Sequence, residues 1–196
     1  MDGVELLMEL RDALESRHSI RSFTSDPVPR KLLEEVLSAA ALAPSPFNEQ
    51  PWRFYVASGE SRVRVGEIMT QNTSYFDEFM TLVGMEPTEE HLRWYTEMGG
   101  APVVVACTMP KVDDKFALLQ KQLTMGAAIE NILLAATEAG LGTCGITSGY
   151  WVRDLIGEAL GVPEDRTIIA MIVMGYPSDE QPVAPPHNFD IAEFRD

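Results

Sequence analysis

The sequence predicts an α+β fold of the α/β sandwich type, with a mixed central sheet flanked by helices. Three observations predict it. Two runs, Ala101-Pro102-Val103-Val104-Val105-Ala106-Cys107-Thr108 and Thr167-Ile168-Ile169-Ala170-Met171-Ile172-Val173-Met174-Gly175, are continuously apolar, as strands covered on both faces are. Around them, apolar residues recur at helical spacing over longer stretches. Helices outnumber the three or four strands, which are scattered along the chain, so one sheet with helices packed against it fits best. With 196 residues, 45% hydrophobic content and no internal repeat, residues 1–196 read as a single domain able to bury a full core.

The elements follow in order. Leu6, Leu7, Leu10 and Leu14 predict an amphipathic helix over Val4 to Ser16. Asp26-Pro27-Val28-Pro29 interrupts the chain, and Leu32, Leu33, Val36, Leu37, Ala40 and Ala41 mark a second helix over residues 31–42, with Glu34 and Glu35 on its wet face. Pro44, Pro46 and Pro51 then exclude regular structure and require a shaped loop, followed by a strand over Trp52 to Ala57. A helical region spans about Arg62 to Met69, and two short helices are expected between residues 70 and 100. Lys115 to Ala139 is the longest helix. It is apolar around so much of its circumference that it must be buried on several sides, and Gly126-Ala127-Ala128 permits close contact with another helix, such as a subunit mate. Gly140 and Gly142 end it. A short helix is predicted over Val152 to Leu160. The proline-rich tail from Tyr176 carries Phe189, Ile191 and Phe194 at intervals that suit packing on an apolar surface.

A net charge of −15 with a pI near 4.5 excludes nucleic acid and anionic membrane as partners of the surface as a whole. No run reaches the ~18 apolar residues of a membrane span, and Met1-Asp2-Gly3-Val4-Glu5 is acidic where a signal peptide is basic, so a cytoplasmic location is expected. Cys107 and Cys144 lie in apolar runs without Cys-x-x-Cys spacing and read as buried reduced thiols. The glycosylation-like triplet at Asn72 has no meaning without secretion. Three histidines support neither a Ser/His/Asp triad nor a metal cluster, and no metal is expected.

Two stretches carry chemistry. Ser16-Arg17-His18-Ser19-Ile20-Arg21-Ser22-Phe23 offers guanidinium forks and hydroxyls suited to phosphate, and if it is extended Arg17, Ser19 and Arg21 share one face. Ala43-Pro44-Ser45-Pro46-Phe47-Asn48-Glu49-Gln50-Pro51-Trp52 is a stiff polar loop between two core elements, a place suited to holding a ligand. Together, and with Gly140-Leu141-Gly142-Thr143-Cys144, they resemble the nitroreductase family of flavin-dependent oxidoreductases. The resemblance implies an FMN-dependent enzyme that takes hydride from NAD(P)H onto flavin N5 and passes electrons to an acceptor such as a nitroaromatic or quinone, in a ping-pong cycle. It implies a homodimer with two flavins at the subunit interface. By family position Arg17 and Ser19 take the phosphate, His18 the ribityl region and Arg21 the N1/O2 edge. Pro44, Ser45 and Asn48 reach the flavin from the neighbouring subunit, Asn72 lies near a pyrimidine contact, and backbone over Gly145, Ile146, Thr147 and Ser148 covers the ring. Pro46 replaces a residue that usually keeps its N–H, and Gln50 either stabilises the loop or touches the cofactor. The usual basic residue after Gly175-Tyr176-Pro177 is missing, so either Arg195 or His187 completes the phosphate site or the phosphate is held more weakly. The aromatic segment Tyr75 to Tyr95 is either a wall over the flavin or plain helix packing. A flavin-binding carrier or redox sensor without turnover, and a specialised member such as a dehalogenase or flavin-consuming enzyme, are the alternatives; in the principal reading the cofactor, not a dedicated side chain, carries the catalytic step.

Overall fold

In the computed structural model, which describes residues 8–71, 73–86, 88–181 and 186–195, four strands form one sheet in the order β1-β2-β4-β3. They are β1 (Arg53–Ser58), β2 (Val103–Pro110), β3 (Gly142–Ile146) and β4 (Arg166–Gly175). The helices are α1 (Leu10–Ser16), α2 (Arg30–Ser38), α3 (Gly59–Gln71), α4 (Thr73–Leu82), α5 (Glu89–Glu97), α6 (Lys115–Glu138) and α7 (Arg153–Leu160).

The two apolar runs become the central strands, paired with Val105 opposite Ile172. Both faces are covered, and alternation along each strand sorts its side chains. Val103, Val105, Cys107, Met109, Ile172 and Met174 pack on the α2 and α6 side with Val36, Met125, Ala128 and Ile132. Val104, Ala106, Met171 and Val173 pack on the opposite side with Val65, Ile68 and Ile156 of α3 and α7. Burial pushes the Cys107 thiol up to about 12, so it stays protonated and acts as a small apolar side chain, as expected.

The sheet departs from the predicted mixed arrangement. All four strands pair antiparallel, and the parallel pairing among the described residues is the isolated bridge of Ser19 to Thr143. The strand β3 itself has no counterpart in the sequence reading, because Gly142-Thr143-Cys144-Gly145-Ile146 is too glycine-rich to show a strand pattern. The first helix starts at Leu10 among the described residues, and its expected Leu6 and Leu7 lie outside them. The other predicted elements stand within a few residues of their expected limits.

Candidate functional site

The segment after α1 is extended and lies along the β3 edge. Ile20 N–H donates to Thr143 O at 2.9 Å, then Thr24 N–H donates to Tyr176 O and Ser178 N–H to Ser22 O. Gly142 makes this possible, since a Cβ there would lie 2.7 Å from the Ile20 side chain. Arg17 Nε pairs with Glu130 Oε1 of α6 at 2.9 Å, and the pair is partly exposed, at 28% and 45% for the two side chains. His18 Nδ1 is 2.8 Å from Ser16 O. Burial pushes the Cys144 thiol up, against the opposing pull of the nearby Arg21 guanidinium and Ser19 hydroxyl. Arg17, Ser19 and Arg21 are thus brought to one strand-like edge.

Arg21 is held by residues that sequence reasoning missed. Its N–H donates to Gln181 Oε1 at 3.2 Å, and Gln181 Nε2 donates in turn to Ser22 O at 2.6 Å. The Arg21 carbonyl accepts from Trp94 Nε1 at 2.7 Å. Gly99, at φ +62°, passes so near that a Cβ would lie 2.2 Å from this carbonyl oxygen, and its own carbonyl accepts from Phe23 N–H. These contacts bridge residues 73 to 160 apart, and nothing local signals them.

Beside Arg21 a cavity of about 630 Å³ opens between β3 and helices α4 and α5, lined by Cys144, Gly145, Ile146, Thr147 and Ser148 on one side and by residues including Met80, Met85, His91, Trp94 and Tyr95 on the other. Along β3 the neighbouring residues are buried but Gly145 is bare, and a Cβ there would meet nothing within 4 Å. The floor is therefore flat backbone, open to close approach. Burial pushes the Tyr95 phenol up, against the opposing pull of the Ser148 hydroxyl and Arg21. Ser148 Oγ and His91 Nδ1 are buried without a well-formed hydrogen bond. The aromatic segment contributes Trp94 and Tyr95 to the wall of this cavity. Asn72 lies outside the described residues, as do the side chains of Tyr75, Phe76 and Phe79.

The Pro44–Gln50 loop is elsewhere. It contains a short 3₁₀ turn, Pro46–Asn48, and three non-glycine residues in the left-handed region: Phe47, Asn48 and Gln50 at φ 51°, 58° and 48°. Such conformations cost about 1–3 kcal/mol each for most residues and persist where the surroundings enforce them, often at ligand sites. Here Ser45 Oγ accepts from Gln50 N–H at 3.1 Å, Gln50 Nε2 donates to Asn48 Oδ1 at 3.1 Å, and Lys121 Nζ of α6 holds Glu49 at 2.6 Å. Gln50 is thus bonded within the loop through both its backbone and its side chain. Glu49 and Arg17 are anchored to α6 at positions nine residues apart, which places them about 13 Å apart along the helix and on opposite sides of it. Within one chain, then, the loop and the anion segment do not share a groove, and none of the residues lining the cavity comes from the loop.

Phe47 is 98% exposed, and Phe116, Leu119, Leu123 and the bare Gly126 form an exposed stripe on α6 at the spacing of a helix-packing seam. Phe189, Ile191 and Phe194 are likewise exposed. In the tail, Arg195 pairs with Glu193 at 2.8 Å, with both side chains exposed, and the His187 ring lies against Phe189. Among the described residues no group of His, Cys, Asp and Glu is arranged for a metal, and no helix is long and apolar enough to cross a membrane.

The nitroreductase family profile matches residues 14–176. The chain is 32% identical over 170 residues, with 85% of it and 84% of the relative covered, to a putative NADH dehydrogenase/NAD(P)H nitroreductase of Archaeoglobus fulgidus. It is 29% identical to a 4-nitrobenzoate reductase of a Nocardioides strain, with 90% of this chain and 84% of that one covered. Its fold is similar, at TM-score 0.76 and 23% identity over 96% of this chain and all of the other, to the FMN-dependent nitroreductase NfnB from Mycobacterium smegmatis, solved in complex with NADPH.

Proposed function

The chain belongs to the nitroreductase family, and from that premise we propose that it is an FMN-dependent oxidoreductase consuming NAD(P)H and acting as a homodimer. The bare backbone floor at Gly145, lying next to the Arg17–Arg21 edge, carries the reading. A flavin mononucleotide needs an anion site, polar partners for its ribityl chain and a flat slot for its ring, and these residues fit all three. Arg17 and Ser19 hold the phosphate, with Arg17 exchanging or sharing its partner Glu130, and His18 serves the ribityl region. Arg21 sits at the N1/O2 edge, where a cation favours reduction. The backbone from Gly145 to Ser148 lies under the ring. When bound, the flavin supplies hydride acceptance from the nicotinamide and delivery to a second substrate, such as a nitroaromatic or quinone, in the same slot.

The loop at Pro44, Ser45, Pro46 and Asn48 completes the site from the second copy. Its strained, internally bonded shape, its separation from Arg17 within one chain, and the exposed stripe Phe116, Leu119, Leu123 and Gly126 support that assembly. The two unpaired buried cysteines suit the cytoplasm. Purified protein is expected to be yellow and to oxidise NADH or NADPH steadily when a quinone is added. A yellow protein inert to both nicotinamides would instead establish a flavin carrier or sensor; a protein that neither binds flavin nor turns over would overturn both readings.

A further inference from the structure

Arg166 opens β4, and although the chain carries a net charge of −15, its guanidinium bonds neutral oxygens of two other segments. Nη2 donates to Pro51 O at 2.6 Å and to Thr108 O at 2.9 Å, while Nε donates to Thr108 Oγ1 at 3.0 Å. Thr108 is fully buried, and its hydroxyl donates onward to Arg53 O at 2.9 Å. It sits where the register between β2 and β4 shifts, a kind of irregularity that re-aims side chains. The starts of β1 and β4 and the end of β2 are thus tied at one point. Pro51 is buried and directly follows Gln50, the last of the three left-handed residues in the Pro44–Gln50 loop. A proline has a carbonyl but no N–H to bond, and here the carbonyl is taken by a charged, planar fork that fixes direction as well as distance. The exit of the strained loop is set by this contact.

Arg166 is far from the anion segment of its own chain. Ser19 bridges to Thr143, Thr143 faces Met174, and Met174 lies eight residues along β4 from Arg166, about 27 Å at the rise of a strand. Any influence of Arg166 on a flavin therefore passes through the loop. We propose that Arg166 is a positioning residue for the flavin site, which holds the Pro44–Gln50 loop in its binding shape and so sets flavin affinity in the neighbouring copy of the chain rather than in its own. This role rests on the reading that the loop completes the site of the second copy. A loop already held in its bound shape loses less freedom on binding, so untying it weakens affinity without removing a contact to the ligand.

Arg166→Met keeps an unbranched apolar stem and deletes all three bonds. Its homodimer is expected to bind FMN about tenfold more weakly in a fluorescence titration. A mixed dimer decides whether the effect crosses the interface: one Arg17→Ala chain and one Arg166→Met chain, each with its own affinity tag, purified together and titrated with FMN. Acting across the interface, the two lesions fall on the same site, and the other site combines an intact Arg17 with an intact loop. One FMN per dimer should then bind with natural affinity. A mixed dimer with no site of natural affinity, as a lesion acting within its own chain or on general stability would give, would overturn the inference while leaving the flavin reading intact. So would an Arg166→Met homodimer that binds FMN as the natural protein does. If that variant does not fold, Thr108→Val, which removes the hydroxyl that orients the guanidinium, takes its place with a smaller expected loss of about threefold, and the same results decide. An Arg17→Ala homodimer of natural FMN affinity, or a natural protein that holds no flavin, would instead sink the flavin reading, and this role with it.

Discussion

Replacing Arg17 with alanine is expected to weaken FMN binding by about 10- to 100-fold, the loss of one or two charge-assisted hydrogen bonds to a phosphate. The apoprotein should hardly notice. Its Arg17–Glu130 pair is partly exposed, and pairs of this kind contribute about 0–1 kcal/mol, so thermal unfolding of the flavin-free variant should shift by no more than a few degrees. Equilibrium dialysis or fluorescence titration of FMN measures the first effect and a thermal melt the second. The contrast between them separates a ligand-binding arginine from a structural one. Unchanged FMN affinity would remove the phosphate from this position.

Gly99→Ala should damage both stability and cofactor binding. The residue sits at φ +62°, where a side chain costs about 1–2 kcal/mol, and its Cβ would lie 2.2 Å from the Arg21 carbonyl oxygen and 2.9 Å from Trp94 Nε1. Backbone must move to admit it, and the backbone in question is the one that aims Arg21. A total loss of about 2–4 kcal/mol, or roughly 5–15 °C in Tm for a chain of this length, is expected together with weaker flavin binding. Gly161→Ala is the matched control. It has φ +68° but open space around its Cβ, so it should show the conformational cost alone and leave flavin affinity untouched. Equal effects from the two substitutions would mean that the close approach at Arg21 carries no weight.

Much of this architecture was legible in the sequence because its signals are local. The runs 101–108 and 167–175 announce buried strands through unbroken apolarity, and the three prolines around Ser45 announce a shaped loop. The segment 17–21 showed its chemistry in its residue types. What stayed hidden depends on distant partners. β3 is a strand because Met171 to Gly175 and Ser19 flank it, not because Gly142 to Ile146 favours extension. The antiparallel pairing of the central strands is a matter of how the chain returns, which apolar runs do not encode. Trp94 and Gln181 fix Arg21 through bonds spanning 73 and 160 residues, and their sequence surroundings mark them only as an aromatic in a helix and an amide in a polar turn.

Whether two copies of the chain share the flavin is decided by sedimentation equilibrium with simultaneous absorbance at the flavin band. One species of twice the 21.7 kDa chain mass is expected, carrying one FMN per chain. Flavin sedimenting with a single 21.7 kDa chain, or a dimer that carries none at saturating FMN, would contradict it.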